Sequence, residues 1–131
     1  MNTSYKILLV MTGGSLGAVS RYAISLSAAR LFETRLPIGT FFANMIGCFL
    51  IGMAFAMAEK TNFLSPGARL LFMTGFLGAL TTFSTYALET LNSLRTGSIG
   101  IALINFLVNN LVGISLVLAG MWMIEIIFKG E

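Results

Sequence analysis

Gly75-Phe76-Leu77-Gly78-Ala79-Leu80-Thr81-Thr82-Phe83-Ser84, continuing into Thr85-Tyr86, decides the fold. The stretch sits in the middle of a long apolar segment. Its glycines, its hydroxyl cluster and its pair of aromatics three apart are not what a plain lipid-facing helix requires. A helix break at that depth frees backbone carbonyls and amides, which hydrocarbon tolerates only where protein or an aqueous cavity satisfies them. The stretch therefore predicts a spanning helix broken over Gly75 to Thr82 around something polar.

The surrounding composition is that of a membrane protein. Hydrophobic residues make up 56% of the chain and charged residues 10%, against about 25% charged in soluble domains. There are 23 residues without a charge between Arg35 and Glu59, 19 between Arg69 and Glu89, and 29 between Arg95 and Glu125. Each run approaches or exceeds the roughly 20 residues that cross the hydrocarbon as helix. A first apolar segment, from Ile7 to about Phe32, is interrupted by Arg21. Lys6 ahead of an apolar run resembles a signal peptide, but no small-x-small cleavage site follows and apolar character resumes after Arg21. The fold class expected is an all-α membrane protein. One domain over 1–131 holds four transmembrane helices near 5–31, 37–59, 67–94 and 98–128, the third of them broken.

Several chemistries are excluded. There is no His and no Asp, and Cys48 is the sole cysteine. Histidine-based triads, Cys₂His₂-type metal sites and an internal disulfide are absent, and no enzyme is expected. The net charge of +3 is scattered at helix ends and is no footprint for nucleic acid. With short loops, Lys6, Lys60, Arg69 and Lys129 fall on the side of the termini, and Arg30, Arg35 and Arg95 on the other. Cytoplasmic loops usually carry the excess of Lys and Arg, so this near balance leaves two readings: a noisy count, or dual topology with copies paired antiparallel.

Small residues at helical spacing (Gly13 and Gly17; Gly39, Ala43 and Gly47; Gly113 and Gly120) allow close helix contacts. Polar residues are costly in hydrocarbon, and so carry more information. Arg21 either anchors the first helix or draws an anion toward a vestibule. Asn44, with Thr40 one turn before it, lies in the second helix, and Asn105, Asn109 and Asn110 in the fourth. Each Asn either bonds a neighbouring helix or joins a ladder of donors. On an intact helix with 3.6 residues per turn, Thr85, Glu89, Thr82, Tyr86 and Phe83 lie about 40°, 80°, 100°, 140° and 200° from Thr81. They form one stripe grading from hydroxyls through a carboxylate to rings, with Ser84 apart from it.

These stretches, with Gly13 through Tyr22, Gly39 through Gly47 and Asn109 through Gly113, resemble the small bacterial fluoride channels of the Fluc (CrcB) family over essentially the full length. The resemblance implies a multi-pass protein of the bacterial inner membrane, an antiparallel homodimer with two fluoride pathways. It implies a structural Na+ at the dimer centre, held by the backbone carbonyls of Gly78 and Thr81. Phe83 and Tyr86 would occupy an aromatic box, and Asn44 would point into the pathway. Thr40, Ser84, Thr85 and Asn109 would be candidates for a polar track, with Glu89 close to it and Arg21 mainly structural. Two positions depart from the family pattern: Tyr86 stands where Phe is most frequent, and Asn109 where a small hydroxyl residue is usual. Tyrosine keeps most of the positive ring edge that attracts an anion and adds a hydroxyl donor.

Two rivals remain at this level. A small multidrug-resistance-type exporter has similar size and topology but relies on a carboxylate in its first helix, where this chain has Arg21 and no acid. A non-transporting scaffold subunit would account for the small-residue packing and leave the polar third segment without a purpose.

Overall fold

The computed structural model describes residues 1–33, 36–60 and 64–129, and every regular element among them is helical. Arg35, one of the cations in the orientation count, lies outside the described residues. Helix α1 spans Thr3–Leu31, α2 Ile38–Lys60, α3 residues 66–80, α4 Phe83–Arg95 and α5 Ile99–Ile127. Helices α3 and α4 are two halves of one interrupted segment, so four segments are long and apolar enough to cross a bilayer. The ends differ from those expected by no more than two residues. The chain is a multi-pass membrane protein.

Local chemistry sets the helix ends. Asn2 accepts the Tyr5 amide at 2.9 Å, and Ser65 accepts that of Ala68 at 3.2 Å with Pro66 following it. Arg30, Lys60 and Arg95 lie in last turns, where the carbonyl end of a helix favours a cation. The Arg69 guanidinium donates to the Ala58 carbonyl at 2.6 Å and to the Leu64 carbonyl at 3.1 Å, tying the end of α2 to the start of α3. Gly97 turns the chain from α4 into α5 with φ 76°, a conformation that favours glycine.

Helix α1 packs along α3, α2 along the C-terminal half of α5, and α4 against the N-terminal half of α5. The α1–α3 contact is backbone on backbone: a Cβ on Gly13 would collide with the Leu71 carbonyl, and one on Gly17 with the Phe76 carbonyl. Small residues give this approach where lipid supplies no hydrophobic drive between helices. The outer faces carry exposed Leu8, Met11 and Val19 on α1 and Leu111, Ile114, Leu118 and Trp122 on α5, an apolar surface suited to hydrocarbon.

Candidate functional site at the interrupted helix

The break is narrower than expected. Residues Leu70–Leu77 stay helical in wide π-type turns, and Gly78–Leu80 return to α geometry. Only Thr81 (φ −82°, ψ 154°) and Thr82 (φ −150°, ψ 117°) are extended. Gly75 does not unwind the helix. It serves packing, since a Cβ there would come within 2.9 Å of the Val10 carbonyl oxygen and 3.0 Å of Gly13 Cα. Thr81 Oγ1 donates back to the Leu77 carbonyl at 3.0 Å, and Thr82 Oγ1 accepts the Thr85 amide at 3.3 Å as the cap of α4.

What holds the break open comes from α2. Asn44 Oδ1 accepts the Thr82 amide at 2.8 Å, and Asn44 Nδ2 donates to the Thr82 carbonyl at 3.3 Å and to Asn109 Oδ1 at 3.0 Å. The Thr82 amide is thereby drawn to Asn44 and leaves the Gly78 carbonyl that an intact helix would give it. Among the described residues, no hydrogen bond reaches the carbonyls of Gly78 or Thr81. Gly47, one turn beyond Asn44, makes room for the Thr81 side chain: a Cβ on it would collide with Thr81 Cγ2.

From Asn44 a chain of side chains crosses to α5 and α4. Asn109 Nδ2 donates to Asn105 Oδ1 at 2.8 Å, Asn105 Nδ2 to Thr90 Oγ1 at 2.8 Å, and Thr90 Oγ1 to the Tyr86 carbonyl at 2.9 Å. Each donor is also an acceptor from the link before it, an arrangement that strengthens every bond in the series. A wide turn over Val108–Val112 lets consecutive residues serve different neighbours: Asn109 meets Asn44, and Asn110 meets the Tyr86 hydroxyl at 2.9 Å. The sequence reading named Asn105 and Asn110 only as helix-bonding or ladder candidates, without a place in the site, and did not name Thr90. The signal available was spacing, since Asn105–Asn109 and Tyr86–Thr90 are each four residues apart on a helix.

The break opens onto a groove of about 400 Å³ walled by Asn44, Gly47, Cys48, Gly78, Thr81, Thr82, Phe83, Tyr86, Asn109 and Asn110, among others; Asn105 and Thr90 lie outside its lining. Phe83 and Tyr86 meet edge to face, with ring centroids 5.4 Å apart and planes at 65°. Tyr86 is buried, whereas Phe83 is 77% exposed and offers its ring outward from a single copy of the chain. A smaller cavity of about 250 Å³ borders Ser25, Thr40 and Glu89. There Thr40 Oγ1 donates to Glu89 Oε1 at 2.6 Å, while Glu89 Oε2 is buried with no partner among the described residues. Thr85 accepts from Thr82 Oγ1 at 3.0 Å, and the exposed Ser84 lies 3.4 Å from the same hydroxyl. Of the residues nominated from the sequence, Asn44, Gly78, Thr81, Phe83, Tyr86 and Asn109 line the groove, Thr40 and Glu89 the smaller cavity, and Ser84 and Thr85 neither. Arg21 lines neither; it is half-buried on α1.

The sequence model of the family described as "CrcB-like protein, Camphor Resistance (CrcB)" matches residues 8–121. The chain belongs to the CrcB family. Among curated relatives, it is 45% identical over 115 residues to the fluoride-specific ion channel FluC of Salinibacter ruber, covering 88% of this chain and 86% of that protein. It is 44% identical over 116 residues to the protein of the same name from Acidobacterium capsulatum, covering 88% and 93%. With that from Maridesulfovibrio salexigens it shares 38% over 117 residues, covering 89% and 93%. These CrcB relatives are named as ion channels, a non-enzymatic class.

Within this CrcB chain the break brings two opposite helix ends together. The carbonyl end of α3 carries partial negative charge and suits a cation; the amide end of α4 carries partial positive charge and suits an anion. Among the described residues no group of three His, Cys, Asp or Glu could hold a metal ion. The oxygens at the break, from backbone carbonyls and from Asn and Thr side chains, are of the ligand type that hard cations take.

Proposed function

We propose that the chain is a passive, fluoride-selective channel that exports cytoplasmic fluoride across the bacterial inner membrane and so confers fluoride resistance. The observation that carries this reading is the groove at the break, where hydroxyls, carboxamides and ring edges converge on the amide end of α4 with no fixed cation among them. Fluoride is small and strongly hydrated, and a pore must replace its water. Neutral donors and positive ring edges do so without trapping the ion. The names of the CrcB relatives point the same way.

The working unit in this reading is an antiparallel homodimer in which a second copy covers the groove. The 77% exposure of Phe83 at membrane depth supports it, as does the near balance of cationic ends in the sequence. The carbonyls of Gly78 and Thr81 would hold a structural Na+ there. Two oxygens from one chain are too few to enclose an ion, so the fit requires the same pair from the second copy. The ion would supply a fixed positive potential at the dimer centre.

No coupling machinery is required. Hydrogen fluoride crosses bilayers as the neutral acid and dissociates in a more alkaline cytoplasm. An inside-negative potential then drives the anion outward by about 2.3 kcal/mol per 100 mV. Liposomes loaded with fluoride and bearing the purified protein test this. Release of fluoride with little release of chloride is expected, and silence from well-folded protein would end the channel reading.

A further inference from the structure

We propose that Asn110 fixes the Tyr86 hydroxyl as a hydrogen-bond donor into the groove, so that Tyr86 binds the conducted anion through its O–H as well as its ring edge. The inference rests on the fluoride-channel reading and names a positioning residue and a specificity residue within that site.

The polarity of the pair is fixed by a third group. Asn110 Nδ2 lies 2.7 Å from the Phe106 carbonyl and 2.9 Å from the Tyr86 hydroxyl oxygen. A carbonyl only accepts, so the carboxamide atom facing it is the nitrogen, and a flipped amide would set two oxygens against each other. The Tyr86 oxygen therefore receives an N–H. A phenol has one proton and, in the ring plane, two directions beside its ring carbon. Asn110 occupies one, and the proton takes the other. Among the described residues nothing accepts that proton. The ring cannot carry it elsewhere, because Tyr86 is 6% exposed and braced by Phe83. Both Tyr86 and Asn110 line the groove that also holds Thr82 and Asn44. There the carboxamide donors are already committed: Asn44 Nδ2 to Thr82 and Asn109, Asn109 Nδ2 to Asn105, and Asn110 Nδ2 to Tyr86 and Phe106. The unspent phenolic proton is thus a side-chain donor that an incoming small, hard anion meets without breaking an internal bond. A phenylalanine here would offer only its edge, and Asn110 would lose the partner that orders it.

The test combines flux with a spectroscopic signature. In fluoride-efflux liposomes, Tyr86→Phe should raise the half-saturating fluoride concentration about tenfold, the scale of one hydrogen bond to a charged group. Asn110→Leu should match it, and the double variant should go no further than either alone, because both act through one proton. In protein labelled at tyrosine Cζ, with Tyr5, Tyr22 and Tyr86 as the three reporters, fluoride should shift the Tyr86 ¹³C resonance in the wild type and not in Asn110→Leu. Asn110→Ser, too short to reach the hydroxyl, serves if the leucine variant does not fold. A conducting wild type whose Tyr86→Phe variant saturates at the same concentration overturns the inference, as do additive effects. If the wild type releases no fluoride, the channel reading fails, and an unmoved Tyr86 resonance then rejects the hydroxyl site as well.

Discussion

Asn44 and Thr82, 38 residues apart, are paired like strands: the Asn44 carboxamide accepts the Thr82 amide at 2.8 Å and donates to its carbonyl at 3.3 Å. One side chain on α2 thereby supplies what the helical ladder no longer supplies to α4. Asn44→Ala removes both bonds at membrane depth, where each unsatisfied backbone group costs about 1–3 kcal/mol. The variant is expected to unfold at a clearly lower temperature in detergent and to lose flux. A thermal midpoint equal to that of the wild type would mean that water satisfies Thr82 without help.

Gly47 and Thr81 form the steric half of the same joint. A Cβ on Gly47 would collide with the Thr81 methyl, and overpacking of this kind costs about 1–3 kcal/mol. Gly47→Ala should therefore destabilise the protein, although alanine favours a helix over glycine by about 1 kcal/mol. Thr81→Ser removes the methyl and keeps the hydroxyl bond to Leu77. The double variant should regain most of the loss, and a thermodynamic cycle that shows no coupling would place the strain elsewhere.

The four crossing segments were legible because charge-free runs of that length have few other uses. The existence of the break was legible too, from hydroxyls and glycines where lipid expects neither. Its extent was not. Gly75 reads as a helix breaker, yet it is a contact surface for α1, and the break is placed at Thr81–Thr82 by Asn44 from a different helix. Local rules carry no such register. The same holds for Asn109 and Asn110, adjacent in sequence and turned to different helices by the wide turn over Val108–Val112. Spacing within a helix did carry over: Phe83 and Tyr86, three apart, are in contact.

The Thr40–Glu89 bond, at 2.6 Å, is at the short end of the O–H···O range. Since Glu89 Oε2 has no partner among the described residues, Thr40 fixes the direction of the carboxylate. Thr40→Val should lower fluoride efflux several-fold, in keeping with loss of one hydrogen bond worth about 0.5–1.5 kcal/mol. Thr40→Ser keeps the hydroxyl and should retain most of the flux. Equal rates in all three proteins would remove this pair from the pathway.

A sodium ion held by carbonyls predicts an unusual mutational pattern. Replacing sodium by N-methyl-D-glucamine should weaken the dimer and stop flux, and adding sodium back should restore both. Thr81→Val should preserve that sodium requirement if the backbone oxygen is the ligand, since the Thr81 hydroxyl is already turned to the Leu77 carbonyl at 3.0 Å. Sodium-independent assembly of the wild type would reject the site. Loss of the requirement in Thr81→Val would move the ligand from the backbone to the side chain.

Phe83 separates a conducting role from a packing role more cleanly than any other residue of the groove. Its ring is 77% exposed and touches Tyr86 edge to face, so within one copy it contributes little burial. Truncating it should cost little stability of the single chain. Phe83→Ile keeps an apolar side chain but removes the aromatic quadrupole, and with it the positive ring edge that an anion can meet. Fluoride efflux should be abolished or greatly reduced, while size-exclusion elution stays at the dimer position. Unchanged efflux would remove the ring from the pathway. Loss of the dimer together with loss of flux would instead make Phe83 an interface residue, its exposed face covered by the second copy and not by the ion.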